Sequence, residues 1–304
     1  MPDILLENVG KKYDSIQALS EFSMEVTKGE LHGLIGPDGA GKTTIMRILC
    51  SLLKADSGKM LVRGLDPNTQ SSSIRKFLGY MPQRFSLYQD LSVEQNIRFF
   101  AELFEVDESE IIPRMEELYS FSRLGKFKKR KAGALSGGMK QKLALTCNLV
   151  HTPDIMILDE PTFGVDPLSR QEFWDILHEL NEKGITILVS TPYMEEAEQC
   201  SRITLIEHGK AIAVGKPREI IEAYPHPIYR LTGRNIRNLR QFFSQHSNVC
   251  SLQLFGDSLH ISFCVEPTSV QWDEFKQGSD HNLLSYDKIS ASIEDVFLNL
   301  GAEK

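Results

Sequence analysis

The sequence predicts an α/β fold, a parallel sheet covered by helices, followed by a small α+β domain. Three observations carry that expectation. Short apolar, β-branched runs at Leu31–Ile35, 155–158 and 185–189 have the length and character of strands buried on both faces. Segments with apolar residues at helical spacing, such as 168–182, alternate with those runs. A glycine-rich turn, Gly36-Pro37-Asp38-Gly39-Ala40-Gly41-Lys42-Thr43, stands between the first run and a helical stretch at 44–53.

In chain order, the pattern between 83 and 136 is mostly helical, at 93–104 and 108–121, which predicts a helical insertion over about 84–140. The run 187–191 stops at Pro192 and turns into an acidic stretch with the look of a first helical turn. Tyr224-Pro-His-Pro227 reads as a linker. Beyond it, strands are expected at 228–231, 251–254 and 259–264, and a helix near Ile236–Ser244. The expected domains are 1–222 and 228–304.

The bulk numbers bound the function. Apolar residues are 41% and charged residues 25% of 304, close to the globular average. A net charge of −7 argues against a whole-surface nucleic-acid binder, and no nucleic-acid partner is expected. Cys50, Cys147, Cys200, Cys250 and Cys264 are an odd, scattered set without a C-x-x-C pair. Free thiols in a reducing compartment are expected, with neither a disulfide framework nor a zinc site. The first residues lack the basic and apolar regions of a signal peptide. No apolar run approaches the roughly 20 residues that span a bilayer, so work at a membrane would need a partner.

The glycine-rich turn fits G-x-x-x-x-G-K-[ST] in strand-to-helix context. Glycines let successive N–H groups curl toward phosphate oxygens, and the helix start adds partial positive charge. Lys42 would reach the β- and γ-phosphates, and the Thr43 hydroxyl would bind Mg²⁺. The expected phosphate-binding set runs from Gly36 to Thr44. The run 155–158 ends in Asp159-Glu160. Asp159 would hold Mg²⁺, and Glu160 would polarise the attacking water.

Residues 135–143, L-S-G-G-M-K-Q-K-L, resemble the signature motif of ABC-type ATPase domains. The resemblance covers residues 3 to about 222 and implies a P-loop NTPase. Its RecA-like core would carry an antiparallel β subdomain and a helical subdomain. It further implies ATP and Mg²⁺ as ligands, and Ser136, Gly137 and Gly138 gripping a γ-phosphate presented by another subunit. Tyr13 matches the aromatic that stacks on adenine. Gln83 matches the glutamine near Mg²⁺ and the attacking water. The stretch 84–93 would receive a membrane subunit's helix, and Gly164-Val165-Asp166 would cross between subunits. Residues 217–221, the small C-terminal domain and 292–298 resemble the ATPases of ABC-2 type exporters.

That narrower resemblance implies two partners, an ABC-2 type integral membrane permease and a second ATPase subunit. The chain would then be cytoplasmic, peripheral on the inner face of the cell membrane. One position departs from the family pattern. Where S-T-H-Y-M-x-E-A is usual, this chain has Pro192 in place of a histidine that contacts the γ-phosphate. A chain with one weakened site could pair with an ATPase whose histidine is intact, or form a slow homodimer; the alternative is that Pro192 is simply tolerated. The basic run 126–131, K-F-K-K-R-K, carries the charge to touch lipid headgroups or nucleic acid, but the expectation is a solvated loop or helix end. Two other classes stay in view: a soluble ABC-type ATPase acting on ribosomes or DNA, and a nearly inert nucleotide-binding regulator. Only one phosphate loop and no sustained heptads are present, which disfavours the first. Turnover separates the second.

Overall fold

The chain begins with two long strands, β1 (Ile4–Tyr13) and β2 (Ile16–Val26), before the expected strand β3 (Leu31–Ile35). With β4 (Ser57–Val62), the first two form an antiparallel sheet of order β2-β1-β4. This computed structural model describes residues 1–84, 87–279 and 281–302. Phe85 and Ser86, part of the stretch expected to meet a membrane subunit, lie outside the described residues.

The central sheet adds β5 (Leu78–Met81), β6 (Ile155–Asp159), β7 (Thr186–Thr191), β8 (Arg202–Glu207) and β9 (Lys210–Gly215). Its order is β5-β6-β7-β3-β8-β9, parallel except for the β8–β9 hairpin. Every residue of β3, β6 and β7 is buried, which is why these strands read as continuous apolar runs rather than alternating ones.

Helices α1 (Lys42–Leu49), α2 (Ser71–Ile74), α3 (Val93–Leu103), α4 (Glu108–Ser122), α5 (Gly137–Leu149) and α6 (Pro167–Glu182) belong to the same unit. Their starts are chemically marked. Ser92 and Gln95 form a capping box on α3, Asp107 caps α4, and Asp166 caps α6 just before Pro167. α1 ends sooner than the 44–53 pattern suggested, because Ser51 turns into the left-handed region at φ 59°. The acidic stretch after Pro192 forms a 3₁₀ segment, Met194–Gln199, rather than an α-helix. Among the described residues, no helix is long and apolar enough to cross a membrane.

The second compact unit runs from Lys216, so α7 (Pro217–Glu222) stands with it and packs on α10. It continues as β10 (Ile228–Gly233), α8 (Ile236–Ser244), β11 (Val249–Phe255), β12 (Ser258–Phe263), α9 (Ser269–Gly278), β13 (Leu283–Ile289) and α10 (Ile293–Ala302). The strands form an antiparallel sheet of order β11-β12-β10-β13, the β-α-β-β-α-β arrangement of a split βαβ fold. Tyr229, Leu231, Phe263, Phe243, Trp272 and Phe275 build its core.

The expectation of unpaired thiols is corrected here. Cys250 and Cys264 are joined as a disulfide, while Cys50, Cys147 and Cys200 are free and buried. The β11–β12 hairpin folds back and brings these positions, 14 apart in sequence, to a Cα–Cα distance of 5.3 Å. A search for closely spaced pairs does not see a cross-strand one.

Candidate active site

The site grows from the carboxyl ends of three adjacent strands. β7 lies between β3 and β6, with Ile35 beside Thr191 and Asp159 beside Ser190. The phosphate loop leaves β3, and its curl depends on Gly39 at φ 80° and Gly41 at φ 110°, a region side chains rarely adopt. The loop is fastened to β7 by the Gly36 amide, which donates to the Thr191 carbonyl at 3.3 Å.

Lys42, in the first turn of α1, is only 3% exposed. Its ammonium donates to the carbonyls of Gly36 at 2.8 Å and Pro37 at 3.0 Å, and meets the Glu160 carboxylate at 3.0 Å. The Gln83 amide donates to the other oxygen of Glu160 at 2.7 Å. Glu160 has φ 50°, an uncommon conformation for a residue with a side chain, which turns its carboxylate off the strand tip. Its own amide donates to the Ser190 hydroxyl at 3.1 Å.

Asp159 is nearly inaccessible. The hydroxyls of Ser190 and Thr43 donate to its Oδ1 at 2.8 and 3.2 Å, while its buried Oδ2 has no partner. Burial pushes the Asp159 carboxyl above its ordinary range, against the two hydroxyl hydrogen bonds that pull it down. An uncommitted buried carboxylate oxygen beside a threonine hydroxyl is the donor chemistry a hard divalent cation takes. These residues therefore fit Mg²⁺.

The structure thus gathers Gly36, Lys42, Thr43, Gln83, Asp159 and Glu160 around one point. Pro37, Asp38 and Gly39 are exposed along the loop; Ala40 is buried and Thr44 half-buried at the start of α1. Tyr13 is 40% exposed at the β1–β2 turn. Its hairpin partner strand reaches the loop, since a Cβ on Gly41 would lie 2.7 Å from the Ala18 carbonyl. Ser136 caps α5 by accepting from the Met139 amide at 3.3 Å, with Gly137 and Gly138 in the first turn. Their neighbour is α6: a Cβ on Gly138 would meet that of Ser169 at 2.4 Å. Gly164-Val165-Asp166 leads into α6, and Asp166 is spent on its cap, accepting from Ser169.

Sequence reasoning missed Ser190, the buried hydroxyl that orients both acidic residues. Its signal was a hydroxyl residue at the end of an apolar run, directly after Ile187-Leu188-Val189. Pro192 is half-buried directly after Thr191, and the next ring, Tyr193, is turned to α6, where the Arg170 guanidinium lies 4.2 Å from its centroid.

An anion loop at a helix start, a buried lysine and two strand-tip carboxylates define a class: α/β proteins built to bind a nucleoside triphosphate. Residues 19–163 match the ABC transporter family. The probable multidrug ABC transporter ATP-binding protein YbhF of Escherichia coli K12 is 37% identical over 98% of this chain. This chain spans only 52% of that relative's length. The Nod factor export ATP-binding protein I of Burkholderia thailandensis is 35% identical, over 97% of this chain and 95% of that one. Among solved structures, cbiO1 of Clostridium perfringens, part of a cbiONQ transporter complex, superposes at TM-score 0.68 with 28% identity. It covers 73% of this chain and 91% of its own. A dimeric cassette with ADP and phosphate bound, MJ0796, gives 0.64 and 27%, over 70% and 98% of the two chains. The chain belongs to the ABC transporter ATP-binding proteins.

Proposed function

We propose that this chain hydrolyses ATP and that hydrolysis drives export through a separate membrane permease of the ABC-2 type. The observation that carries the proposal is the meeting of Lys42, Gln83 and Glu160, cation, amide and carboxylate, at 3.0 and 2.7 Å beside the phosphate loop. Glu160 is placed to accept a proton from water as its oxygen attacks the γ-phosphorus and the bond to the ADP oxygen breaks. Gln83 orients that carboxylate, and Lys42 compensates the charge of the phosphoryl oxygens. Thr43 and the free Oδ2 of Asp159 would hold Mg²⁺, which neutralises phosphate charge when bound.

Ser136 and Gly137 are exposed at the start of α5, and Gly138 follows them, buried beside Ser169. We read them as the grip on a nucleotide bound to a second ATPase subunit, with Tyr13 against the adenine of the chain's own nucleotide. A cavity of about 1210 Å³, lined by Leu52, Arg75, Tyr80, Leu103, Phe104 and His151, opens between the sheet and α3–α4. Leu52 and Leu103 are 63% and 60% exposed there, which suits a helix of the permease. The chain would then work on the cytoplasmic face of the membrane, held by that partner.

Turnover on the purified chain tests the reading. Glu160→Gln should keep nucleotide binding and lower turnover by about a thousandfold or more, the scale of losing a general base with its charge. Parent-like turnover by that variant would refute the assignment.

A further inference from the structure

The run 126–131 puts five cations in six residues of a chain whose net charge is −7. Lys126, Lys128, Lys129, Arg130 and Lys131 are all exposed. Among the described residues, none of the five pairs with a carboxylate. Two nearby acids are committed elsewhere, Glu94 to Arg98 and Glu117 to Arg114 and Lys183. The Lys128 ammonium and the Arg130 guanidinium each lie 5.9 Å from a ring, those of Tyr119 and Phe127.

The run is held, not loose. The Val93 amide donates to the Arg130 carbonyl at 3.0 Å, and the Glu94 amide to the Lys128 carbonyl at 2.9 Å. The Ala132 and Gly133 amides donate to the carbonyls of Leu91 and Gln89, both at 2.9 Å. The cations are therefore strapped to the start of α3 and to the stretch that, on the reading above, faces the membrane subunit. Crowded like charges with no internal partner gain from an external negative surface. Four of the five are lysines, point charges suited to a diffuse anionic layer rather than to bidentate recognition. The one aromatic ring in the run, Phe127, is half-buried under Arg130, leaving no free platform for a base.

We infer that residues 126–131 form a docking patch for an anionic phospholipid surface. The inference rests on the transporter reading for its place near a membrane. It is tested on the full chain without nucleotide, by co-sedimentation with phosphatidylcholine vesicles with and without phosphatidylglycerol. The parent should bind only the anionic vesicles, and less as salt rises. Each cation near such a surface is worth about fivefold in binding, so losing two costs about 25-fold, and Lys128→Glu with Lys129→Glu, which also adds two negative charges, should weaken it by more than that. Lys128→Gln with Lys129→Gln should give an intermediate loss. Both variants should keep parental ATP turnover in solution, which reports an intact fold. Equal sedimentation with both vesicle types, unchanged binding by the variants, or tighter binding to duplex DNA than to anionic vesicles would overturn the patch. Because binding is read without nucleotide, loss of the parent's turnover counts against the hydrolysis proposal alone.

Discussion

Pro192 follows the residue whose carbonyl fastens the phosphate loop, since the Gly36 amide donates to Thr191 at 3.3 Å. A side chain at 192 is thus one residue away from the loop, and proline offers it no donor. Tyr193 does not stand in, because its ring lies against Arg170. The other groups are in place: Ser190 holds Asp159, and Lys42 and Gln83 hold Glu160. A hydrogen bond to a charged group contributes about 1.5–3 kcal/mol. If it strengthens in the transition state, its loss slows hydrolysis by about ten- to a hundredfold. Pro192→His is therefore expected to raise turnover at saturating ATP by that factor, with nucleotide affinity little changed. Unchanged turnover would mean that position 192 takes no part in the chemistry. On the proposed reading the lack is compatible with two arrangements, a slow homodimer or a pair with an ATPase whose histidine is intact, in which this chain's Ser136-Gly137-Gly138 would complete the partner's site.

β3 shows how an element positions the loop and what makes it sensitive to acid. Glu30, at its entrance, accepts from the Thr27 amide and hydroxyl at 3.0 and 2.5 Å and pairs with His32 Nδ1 at 2.6 Å. His32 is fully buried, and its Nε2 meets Thr204 of β8 at 2.8 Å. Burial raises the Glu30 carboxyl, but the hydrogen bonds from His32 and Thr27 outweigh it and bring it down to about 2. A carboxyl depressed on folding stabilises the fold above its unfolded value of about 4.3. That contribution fades as pH falls from there through about 2. Urea unfolding midpoints should therefore drop over this window in the parent and drop less in Glu30→Gln. Parallel pH profiles would show that the cluster contributes nothing. This network was not legible in the sequence, because Thr204 is 172 residues from His32. The phosphate loop, Asp159-Glu160 and the α5 cap were legible, because each depends on spacing within a few residues. The buried strands were legible as apolar runs, and helix Ile236–Ser244 as an amphipathic one. Ser190 and the Cys250–Cys264 pair were not, since each acts across strands.

At the scale of the whole chain, the two units carry different stabilising devices, and each predicts its own response. The first unit, Met1–Gly215, holds the phosphate loop, so a ligand that binds only its folded form stabilises it by mass action. At a hundredfold excess over the dissociation constant this amounts to about 2.7 kcal/mol. The second unit, Lys216–Lys304, is small and has its own aromatic core and the Cys250–Cys264 crosslink. Closing a loop of that length stabilises by about 3 kcal/mol in the chain-entropy account. Hydrogen–deuterium exchange reads the units separately within one intact protein. ATP with Mg²⁺ should slow exchange at the phosphate loop and along α1, with no slowing on β10 or β12. A reductant should speed exchange on β11 and β12 by up to a hundredfold on that account, leaving α1 unchanged. A reductant without effect on β11 and β12 would show that the crosslink adds no stability. ATP protection that leaves the phosphate loop exposed would remove the loop from the nucleotide site, and with it the proposed chemistry of Lys42 and Glu160.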